Sequence, residues 1–313
     1  MSRSRRRWRA SPRSPKNLAA ERPSFDLFAE QTRPGLEEEL ARSLPPRAER
    51  SPALSGGLEE AVLSPGKRLR PLVTLAAARL VRGPAPAAMA VAVSVELLHA
   101  ASLVLDDLPS MDNARRRRGK PALHVTYGVA TAELVSVALV ARAFEIVASA
   151  PRMSSATRAR VAGELAAAIG AEGCCAGQAA DLAANPARLT LEEMEAIHAR
   201  KTGALFVAAV RGGAMSGGAS DRTLTSLTLF ARNLGLAFQI TDDLLDLEGD
   251  PDLIGKDTHR DAHRANFAAL IGAGASRELV DELLRAAVSA LGPFGSRGDV
   301  LADLARVVRD RRS

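Results

Sequence analysis

Two groups of aspartates are the residues whose types and spacing could do chemistry in this chain. The first group is Asp106, Asp107 and Asp112, and the second is Asp242, Asp243 and Asp246. Each group follows an apolar run, at 100–105 and at 234–240, so both are predicted at the ends of buried helices. Because a buried carboxylate without a counter-charge is costly, the two groups need cations. Carboxylates on two facing helices predict a site for divalent metal ions and a phosphate-bearing substrate.

The spacing within each group supports this interpretation. In the second group Asp242 and Asp243 lie four and three residues before Asp246, so all three can share one helix face. The separation of six residues between Asp106 and Asp112 is out of phase with the helix period, so the two side chains would lie on different faces. Pro109, however, predicts a helix break that turns Asp112 back toward the first pair. A pair of solvated acidic helix ends is the alternative interpretation.

Basic residues accompany both groups of aspartates. Lys67 and Arg70 lie one turn apart at a predicted helix start, which suits an anion. His99 lies two turns before Asp106 on nearly the same helix face, so it is either a ligand contact or an ordinary core residue. The other basic candidates are Arg117, Arg118, Lys201 and Lys256. Combined with metal sites, these residues predict two polyphosphate groups, one held through metals and one through Lys and Arg.

The composition predicts an all-α fold whose long helices position these groups. Ala and Leu dominate the 313 residues, and aromatic residues make up only 3%. Helices are predicted near 25–44, 73–80, 87–105, 131–149, 156–182, 191–215, 223–247, 277–291 and 300–309. Loops are predicted at 45–46, 55–57, 84–86, 151, 185–186, 217–218 and 249–263. Short loops between long helices indicate one bundle-like domain, residues 24–313, around a central cavity.

The net charge of +6 belongs to a tail rather than to the folded domain. Residues 1–16 carry seven Arg and Lys residues and no acid, so removing those seven charges from +6 leaves −1. Residues 1–23 are predicted to be a disordered basic extension, with a polybasic patch for anionic lipid or nucleic acid as the alternative. We expect no nucleic-acid partner and no transmembrane segment. The two adjacent cysteines are unsuited to a disulfide and predict a cytoplasmic protein.

Taken in order, these motifs resemble the trans-isoprenyl diphosphate synthases, the polyprenyl synthetase family. The aspartate groups are similar to the two aspartate-rich motifs of that family, the first in its form with two extra residues. The other matches are Gly66-Lys67-Arg68-Leu69-Arg70-Pro71, Gly177-Gln178 with Asp181-Leu182, Lys201-Thr202-Gly203, Phe238-Gln239 and Gly255-Lys256-Asp257. Segment 99–107 is most similar to bacterial carotenoid-type geranylgeranyl diphosphate synthases. The resemblance covers about residues 24–310 and implies an isoprenoid-synthase-type helix bundle and a homodimer.

The resemblance implies a prenyltransferase that joins isopentenyl diphosphate to an allylic diphosphate, head to tail and trans, by Mg²⁺-assisted ionisation. Three Mg²⁺ ions, for which Mn²⁺ can substitute, are expected on Asp106, Asp107, Asp112, Asp242 and Asp246, with Asp243 in support. These six aspartates and Lys201 are the expected catalytic residues. The allylic substrate is expected to contact Arg117, Lys201, Thr202, Gln239, Lys256 and Arg264, and isopentenyl diphosphate to contact Lys67, Arg70, His99 and Arg118. Two positions depart from the family pattern: Arg264 stands where Lys is common, and Ser136-Val137 stands where Gly-Asp is common.

Product length is predicted from the helix before the first aspartate group. Farnesyl-producing relatives place a bulky aromatic residue five positions before the first aspartate, where this chain has Ala101. A helix rises about 1.5 Å per residue, so a ring there would close the cavity roughly 7–8 Å below the metals. Ala101, with Ser102 beside it and Leu98 about one turn deeper, predicts a cavity open to geranylgeranyl diphosphate (C20). The alternatives are a farnesyl diphosphate synthase, a terpene cyclase and a non-catalytic regulatory subunit of a synthase heteromer.

Overall fold

The computed structural model describes residues 24–47, 51–185, 188–248 and 266–311, and these ranges form a bundle of α-helices. The helices are α1 (Phe25–Ser43), α2 (Pro52–Leu63), α3 (Leu69–Leu80), α4 (Ala85–Asp106), α5 (Leu123–Tyr127), α6 (Val129–Ala148), α7 (Ser155–Ile169), α8 (Cys174–Ala183), α9 (Leu191–His198), α10 (Ala204–Ser216), α11 (Asp221–Glu248), α12 (Phe267–Ile271), α13 (Ala273–Ala290) and α14 (Asp299–Arg309). Within these ranges the strands are a short antiparallel hairpin, β1 (Arg116–Arg117) and β2 (Lys120–Pro121). The predicted all-α fold is confirmed. The predicted tail, residues 1–23, lies outside the described residues.

Short polar side chains start several of these helices. The Ser24, Ser51 and Ser154 hydroxyls each accept a hydrogen bond from the backbone N–H three residues further on, at 3.1–3.2 Å. Thr190 and Glu193 form a reciprocal capping box at the start of α9. These bonds satisfy amides that have no partner within the helix, so the helices begin directly after short loops.

The central helix of the bundle is α4, which carries the first aspartate group at its end. It packs against α3, α6 and α10, and Val91, Ala92 and Val95 in its middle are fully buried. In the described part of the chain, α4 alone is long and apolar enough to cross a membrane, and 67% of its most apolar stretch is buried inside the protein. A helix that is apolar on all sides is expected in a core. The aspartates at its end are therefore held by a rigid, densely packed element.

The loop predicted at 55–57 is wrong, because Ser55, Gly56 and Gly57 lie inside α2. The two glycines allow close helix packing there instead of ending the helix. A Cβ on Gly56 would lie 2.9 Å from the Tyr127 hydroxyl, and one on Gly57 would lie 2.8 Å from a Val135 methyl. Glycine often marks a turn, but it equally permits a close approach between elements.

Two predicted helices are interrupted. The helix predicted at 156–182 is two helices, α7 and α8, which are separated by residues 170–173. The helix predicted at 191–215 contains a π-helical turn, Ala199–Gly203, between α9 and α10. A π-turn inserts an extra residue into the helix and is frequent at functional sites. It sets the direction of Lys201, one of the predicted catalytic residues. The predicted loop at 249–263 lies outside the described residues.

Candidate active site

The first aspartate group lies on a tight turn at the C-terminal end of α4. The helix ends at Asp106, and the backbone N–H of Asp107 still donates to the Leu103 carbonyl at 3.2 Å. The chain then reverses, and the N–H of Asp112 donates to the Asp106 carbonyl at 2.9 Å. The predicted helix break at Pro109 is therefore confirmed, and it returns Asp112 to the end of the helix.

Asp107 anchors the Arg117 side chain. Its residue is only 4% exposed, and both carboxylate oxygens accept hydrogen bonds from the Arg117 guanidinium, including two from Nε at 3.0 and 3.1 Å. Burial lowers the pKa of Arg117, but the bond to Asp107 and its charge outweigh that effect and raise the pKa overall. The turn and the hairpin bring the Arg117 fork onto both carboxylate oxygens. Each oxygen keeps a further lone pair, so the role of Asp107 in metal binding stays a prediction.

Asp106 carries a negative charge that its surroundings do not fully compensate. Burial raises the pKa of Asp106 to about 6, Lys201 acts in the opposite direction, and the charge of Asp112 raises the pKa further. A carboxyl with this pKa is poised to gain stability from a nearby cation. The same set of effects indicates that Asp112 and Lys201 lie close to Asp106.

The Asp243 side chain connects α11 to the start of α12 through hydrogen bonds. One of its oxygens accepts from Gln239 Nε2 at 2.9 Å, and the other accepts from the backbone N–H of Phe267 at 2.9 Å. Gln239 in turn accepts a bond from the Thr202 hydroxyl at 2.9 Å. The predicted substrate contacts Thr202 and Gln239 are therefore joined to each other and to Asp243. The Asp246 side chain, Lys256 and Arg264, which were also predicted here, lie outside the described residues.

Asp242 is paired with a residue from the end of the chain. Nη1 of Arg311 lies 2.6 Å from Asp242 Oδ1, and the Arg311 guanidinium sits 4.5 Å from the centre of the Phe238 ring. A cation over an aromatic face is held in a defined position. Sequence spacing does not predict this role of Arg311, because a lone arginine beyond the last predicted helix has no periodic relation to the aspartates.

Lys201 is oriented by α8. Its ammonium lies 2.6 Å from Asp181 Oδ2, and Gly177 packs directly against the backbone of the π-turn. A side chain at Gly177 would collide with the Lys201 backbone, so glycine is required for this approach. The motif Gly177-Gln178 with Asp181-Leu182 was recognised from the sequence, but the role of Asp181 as the partner of Lys201 was not.

A second cluster of basic groups lies where α3 meets α4. Arg70 Nη1 lies 3.4 Å from His99 Nε2, and burial lowers the pKa of both groups, that of His99 well below its usual value. Burial, followed by the charge of Arg311, also lowers the pKa of Lys67, whereas Asp242 acts in the opposite direction. The pair Lys67 and Arg70, predicted as an anion site, is thus brought together with His99 and near the second aspartate group.

Arg118, the fourth predicted contact for isopentenyl diphosphate, rests against the same loop. Its Nη1 donates to the Pro65 carbonyl at 3.1 Å. A Cβ on Gly66 would lie 2.7 Å from that nitrogen, so glycine makes room for the guanidinium. Arg118 therefore has a second role in packing this loop, which its place in the Arg115–Arg118 run did not predict.

The residues predicted to control product length lie along α4 below Asp106. Ala101 and Leu98 are fully buried, and the Ala101 carbonyl accepts a bond from Ser136 on α6 at 3.2 Å. Ser102, four residues before Asp106, is half-buried and donates to the His99 carbonyl at 2.9 Å. On a helix, a residue four positions away lies on the same face. Ser102 is therefore nearer to the aspartate face of α4, whereas Ala101 faces α6.

The carboxylates fit Mg²⁺ that arrives together with substrate. Across the residues that the structure describes, no three acidic, histidine or cysteine side chains converge closely enough to hold a metal by themselves. Mg²⁺ usually takes one or two carboxylates and completes its shell with water and phosphate oxygens. Asp106, Asp112 and Asp242 supply hard oxygen donors of this kind. The raised pKa of Asp106 shows that its buried carboxylate is not fully stabilised by the protein, so a bound cation would stabilise it.

Aspartates lie at the C-terminal ends of α4 and α11, surrounded by lysines and arginines. This arrangement defines a class of enzymes that act on diphosphate esters with divalent metal ions. Comparison with known proteins gives the same class. The model of the polyprenyl synthetase family matches residues 51–289. The chain belongs to the polyprenyl synthetase family, as its motifs indicated.

Two relatives with different products are similar to this chain. The chain is 43% identical over 237 residues to the chloroplastic geranylgeranyl pyrophosphate synthase of Catharanthus roseus, covering 74% of this chain and 66% of that protein. It is 37% identical over 292 residues to the farnesyl diphosphate synthase of Geobacillus stearothermophilus, covering 92% of this chain and 98% of that protein.

Solved structures share the fold over nearly the whole chain. An FPP/GFPP synthase from Zymomonas mobilis, 35% identical, superposes with a TM-score of 0.81 and covers 91% of this chain and 98% of that one. A geranyltransferase from Helicobacter pylori, complexed with magnesium and isoprenyl diphosphate, is 28% identical with a TM-score of 0.81 and covers 94% and 98%.

Proposed function

We propose that this trans-prenyltransferase condenses isopentenyl diphosphate with an allylic diphosphate and releases geranylgeranyl diphosphate (C20). The observation that carries the proposal is that both aspartate groups end core helices beside the Lys67–Arg70–His99 cluster, so two diphosphates can be bound side by side. Small residues at 101 and 102 favour the C20 product. Relatives named geranylgeranyl pyrophosphate synthase support the same length.

In this proposal the aspartates hold the allylic diphosphate through metal ions. When bound, Mg²⁺ stabilises the negative charge that develops on the departing diphosphate. Asp106, Asp112 and Asp242 would hold the ions, three per site by the family resemblance, with Mn²⁺ as a substitute. Lys201, fixed by Asp181, adds a positive charge near Asp106. The residues act by preorganised electrostatics in a site that excludes water, and no nucleophilic side chain is required.

The bonds change in one head-to-tail addition. The allylic C–O bond breaks, and its electron pair leaves with the diphosphate. The double bond of isopentenyl diphosphate attacks the allylic carbon, and a proton is then lost from the new chain. Family resemblance assigns that proton to the departing diphosphate. Lys67, Arg70, His99 and Arg118 hold the isopentenyl diphosphate, whose own C–O bond stays intact. Without substrate, burial and the neighbouring arginines hold the pKa of His99 well below its usual value.

Incubation of the purified protein with Mg²⁺, isopentenyl diphosphate and each of the C5, C10 and C15 allylic diphosphates tests the function. Mass analysis of the dephosphorylated products is expected to show a C20 alcohol from every accepted starter. A C15 end product would establish the alternative, a farnesyl diphosphate synthase. No product from any starter would overturn the proposal and favour a regulatory subunit. Retention of both aspartate groups and of Lys67–Arg70 argues against that subunit and against a terpene cyclase.

The homodimer belongs to the proposal, and an exposed apolar face of α6 supports it. Leu134 and Val137 are 60% and 66% exposed and lie three residues apart, with Ala130 and Ala141 exposed on the same face. Contiguous exposed apolar surface of this kind commonly marks a protein interface. Val137 also stands at the position where the chain departs from the family's Gly-Asp.

Leu134→Asp is expected to convert the dimer to a monomer, because a charge in the middle of a buried apolar interface must be desolvated. Light scattering after size exclusion measures the mass. Leu229→Asp is the matched control, since Leu229 is 51% exposed on α11, and it is expected to leave the mass unchanged. A wild-type protein that elutes as a monomer, or a Leu134→Asp variant that stays dimeric, would contradict this interface.

A cytoplasmic location and a role in carotenoid biosynthesis complete the proposal. The two described cysteines are both free, Cys174 buried and Cys175 exposed, which suits a reducing compartment. The pathway rests on the similarity of segment 99–107 to carotenoid-type enzymes and on the C20 product.

A further inference from the structure

The loop that presents Lys67 and Arg70 is held by three arginines, of which Arg33 and Arg68 lie outside the predicted substrate contacts. Four consecutive backbone carbonyls, those of residues 64 to 67, each accept a hydrogen bond from an arginine side chain. Arg68 Nη2 donates to Ser64 at 3.0 Å, and Arg118 Nη1 donates to Pro65 at 3.1 Å. Arg33 on α1 donates to the last two carbonyls, Gly66 and Lys67, at 3.0 Å each. All four carbonyls are thereby engaged by fixed cations.

Arg68 is the buried part of this arrangement. Its side chain is 1% exposed, and its guanidinium donates to Glu37 on α1, to Glu96 on α4 at 2.7 Å and to the Val62 carbonyl at 2.8 Å. The Arg68 backbone has a φ of +52°, in the left-handed region that only a few per cent of non-glycine residues adopt. Such a conformation persists when surrounding contacts determine it. The side-chain network of Arg68 supplies those contacts.

We infer that Arg33 and Arg68 are positioning residues for the isopentenyl diphosphate site, acting through the 64–67 segment. The left-handed turn at Arg68 lies between Lys67 and Arg70, so it sets the direction of both diphosphate contacts. Arg33 fixes the carbonyl of Lys67 itself, and therefore the origin of that side chain. The inference rests on the proposed binding of isopentenyl diphosphate by Lys67 and Arg70.

Arg33 gives the cleaner test, because its side chain is half-buried and the Arg68–Glu96 ion pair stays intact when it is changed. Isothermal titration of isopentenyl diphosphate in EDTA measures this site without metal. Arg33→Gln is expected to raise Kd about tenfold, because two carbonyls lose their donors and the loop samples other directions. Arg33→Lys, which offers one donor group rather than a fork, is expected to recover part of the affinity. Arg68→Lys is expected to raise Kd at least as much as Arg33→Gln.

The control is Arg211→Gln, which breaks an arginine fork on Glu164 between α7 and α10, remote from the 64–67 segment. Its Kd is expected to match that of the wild type, even if its Tm falls. In steady-state kinetics Arg33→Gln is expected to raise KM for isopentenyl diphosphate and to leave KM for the allylic diphosphate unchanged. Equal Kd values for the wild type and Arg33→Gln, or equal rises in both KM values, would overturn the inference about Arg33 and Arg68 but leave the proposed function intact. No binding by the wild type would overturn the proposed function as well.

Discussion

Asp106→Asn is expected to lower kcat by about 10³-fold, the largest effect of any single change in this site. The neutral amide keeps the shape of the side chain but removes the charge that binds metal, so stabilisation of the departing diphosphate is lost. Initial rates at saturating Mg²⁺ and both substrates measure the effect. Asp221→Asn is the control, because its side chain is 92% exposed at the start of α11 and no change in kcat is expected. A loss below tenfold would show that Asp106 does not hold the catalytic metal.

The same substitution is expected to stabilise the metal-free protein at neutral pH. Burial raises the pKa of Asp106 to about 6, above its usual 3.8, so the native state binds more protons than the unfolded state between these values. The free energy of unfolding therefore falls as pH rises through about 4 to 6. Below that pH window the Asp106 carboxyl is protonated and neutral in both the native and the unfolded state, so its burial no longer lowers the free energy of unfolding.

Urea denaturation in EDTA checks this expectation at two pH values. At about pH 7.5, Asp106→Asn is expected to exceed the wild type by roughly 1–2 kcal/mol, less than the full shift implies because the group is partly solvated. At about pH 3, below both pKa values, the difference is expected to disappear. A variant that is less stable than the wild type at both values would show that Asp106 is satisfied without metal.

Ala101→Tyr is expected to change the main product from C20 to C15. A ring about five residues below the metal site fills the space that the last isoprene unit needs. Product analysis with the C5 starter measures the change, and unchanged C20 output would contradict it. The tight packing of Ala101 against α6 adds a condition, because the ring must turn toward the cavity rather than toward Ser136.

Ser102→Phe is the companion variant, since Ser102 is half-buried on the aspartate face of α4. It is expected to shorten the product with less loss of stability than Ala101→Tyr, because it does not overpack the α4–α6 contact. Ser102→Ala is the matched control and is expected to keep the C20 product. Shortening by Ser102→Phe but not by Ala101→Tyr would move the cavity floor to position 102.

Much of this site could be predicted from local sequence. The two aspartate groups, the turn at Pro109 and the Lys67–Arg70 pair all depend on spacings within one or two helical turns. The all-α fold follows from strong helix formers, which act over similarly short distances. Most helix boundaries were correct within a few residues for the same reason. The errors at 55–57, 156–182 and 191–215 involve glycines and a π-turn, whose effects depend on what packs against them.

The division of roles among the charged residues was decided by tertiary structure alone. Asp107, which was predicted to bind metal, also pairs with Arg117, and Asp243, which was predicted in support, accepts bonds from Gln239 and from the backbone of Phe267.

Two arginines contact groups that are far away in the sequence, so local spacing could not predict these contacts. Arg33 is 33 residues from the Gly66 carbonyl that it binds, and Arg311 pairs with Asp242 from the far end of the chain. The sequence by itself determined which chemistry is present, because residue type and local spacing set the ligands available. Only the tertiary structure decided which charged side chains pair with other protein groups and which remain for substrate. The pairing depends on which helices, distant in sequence, pack against each other.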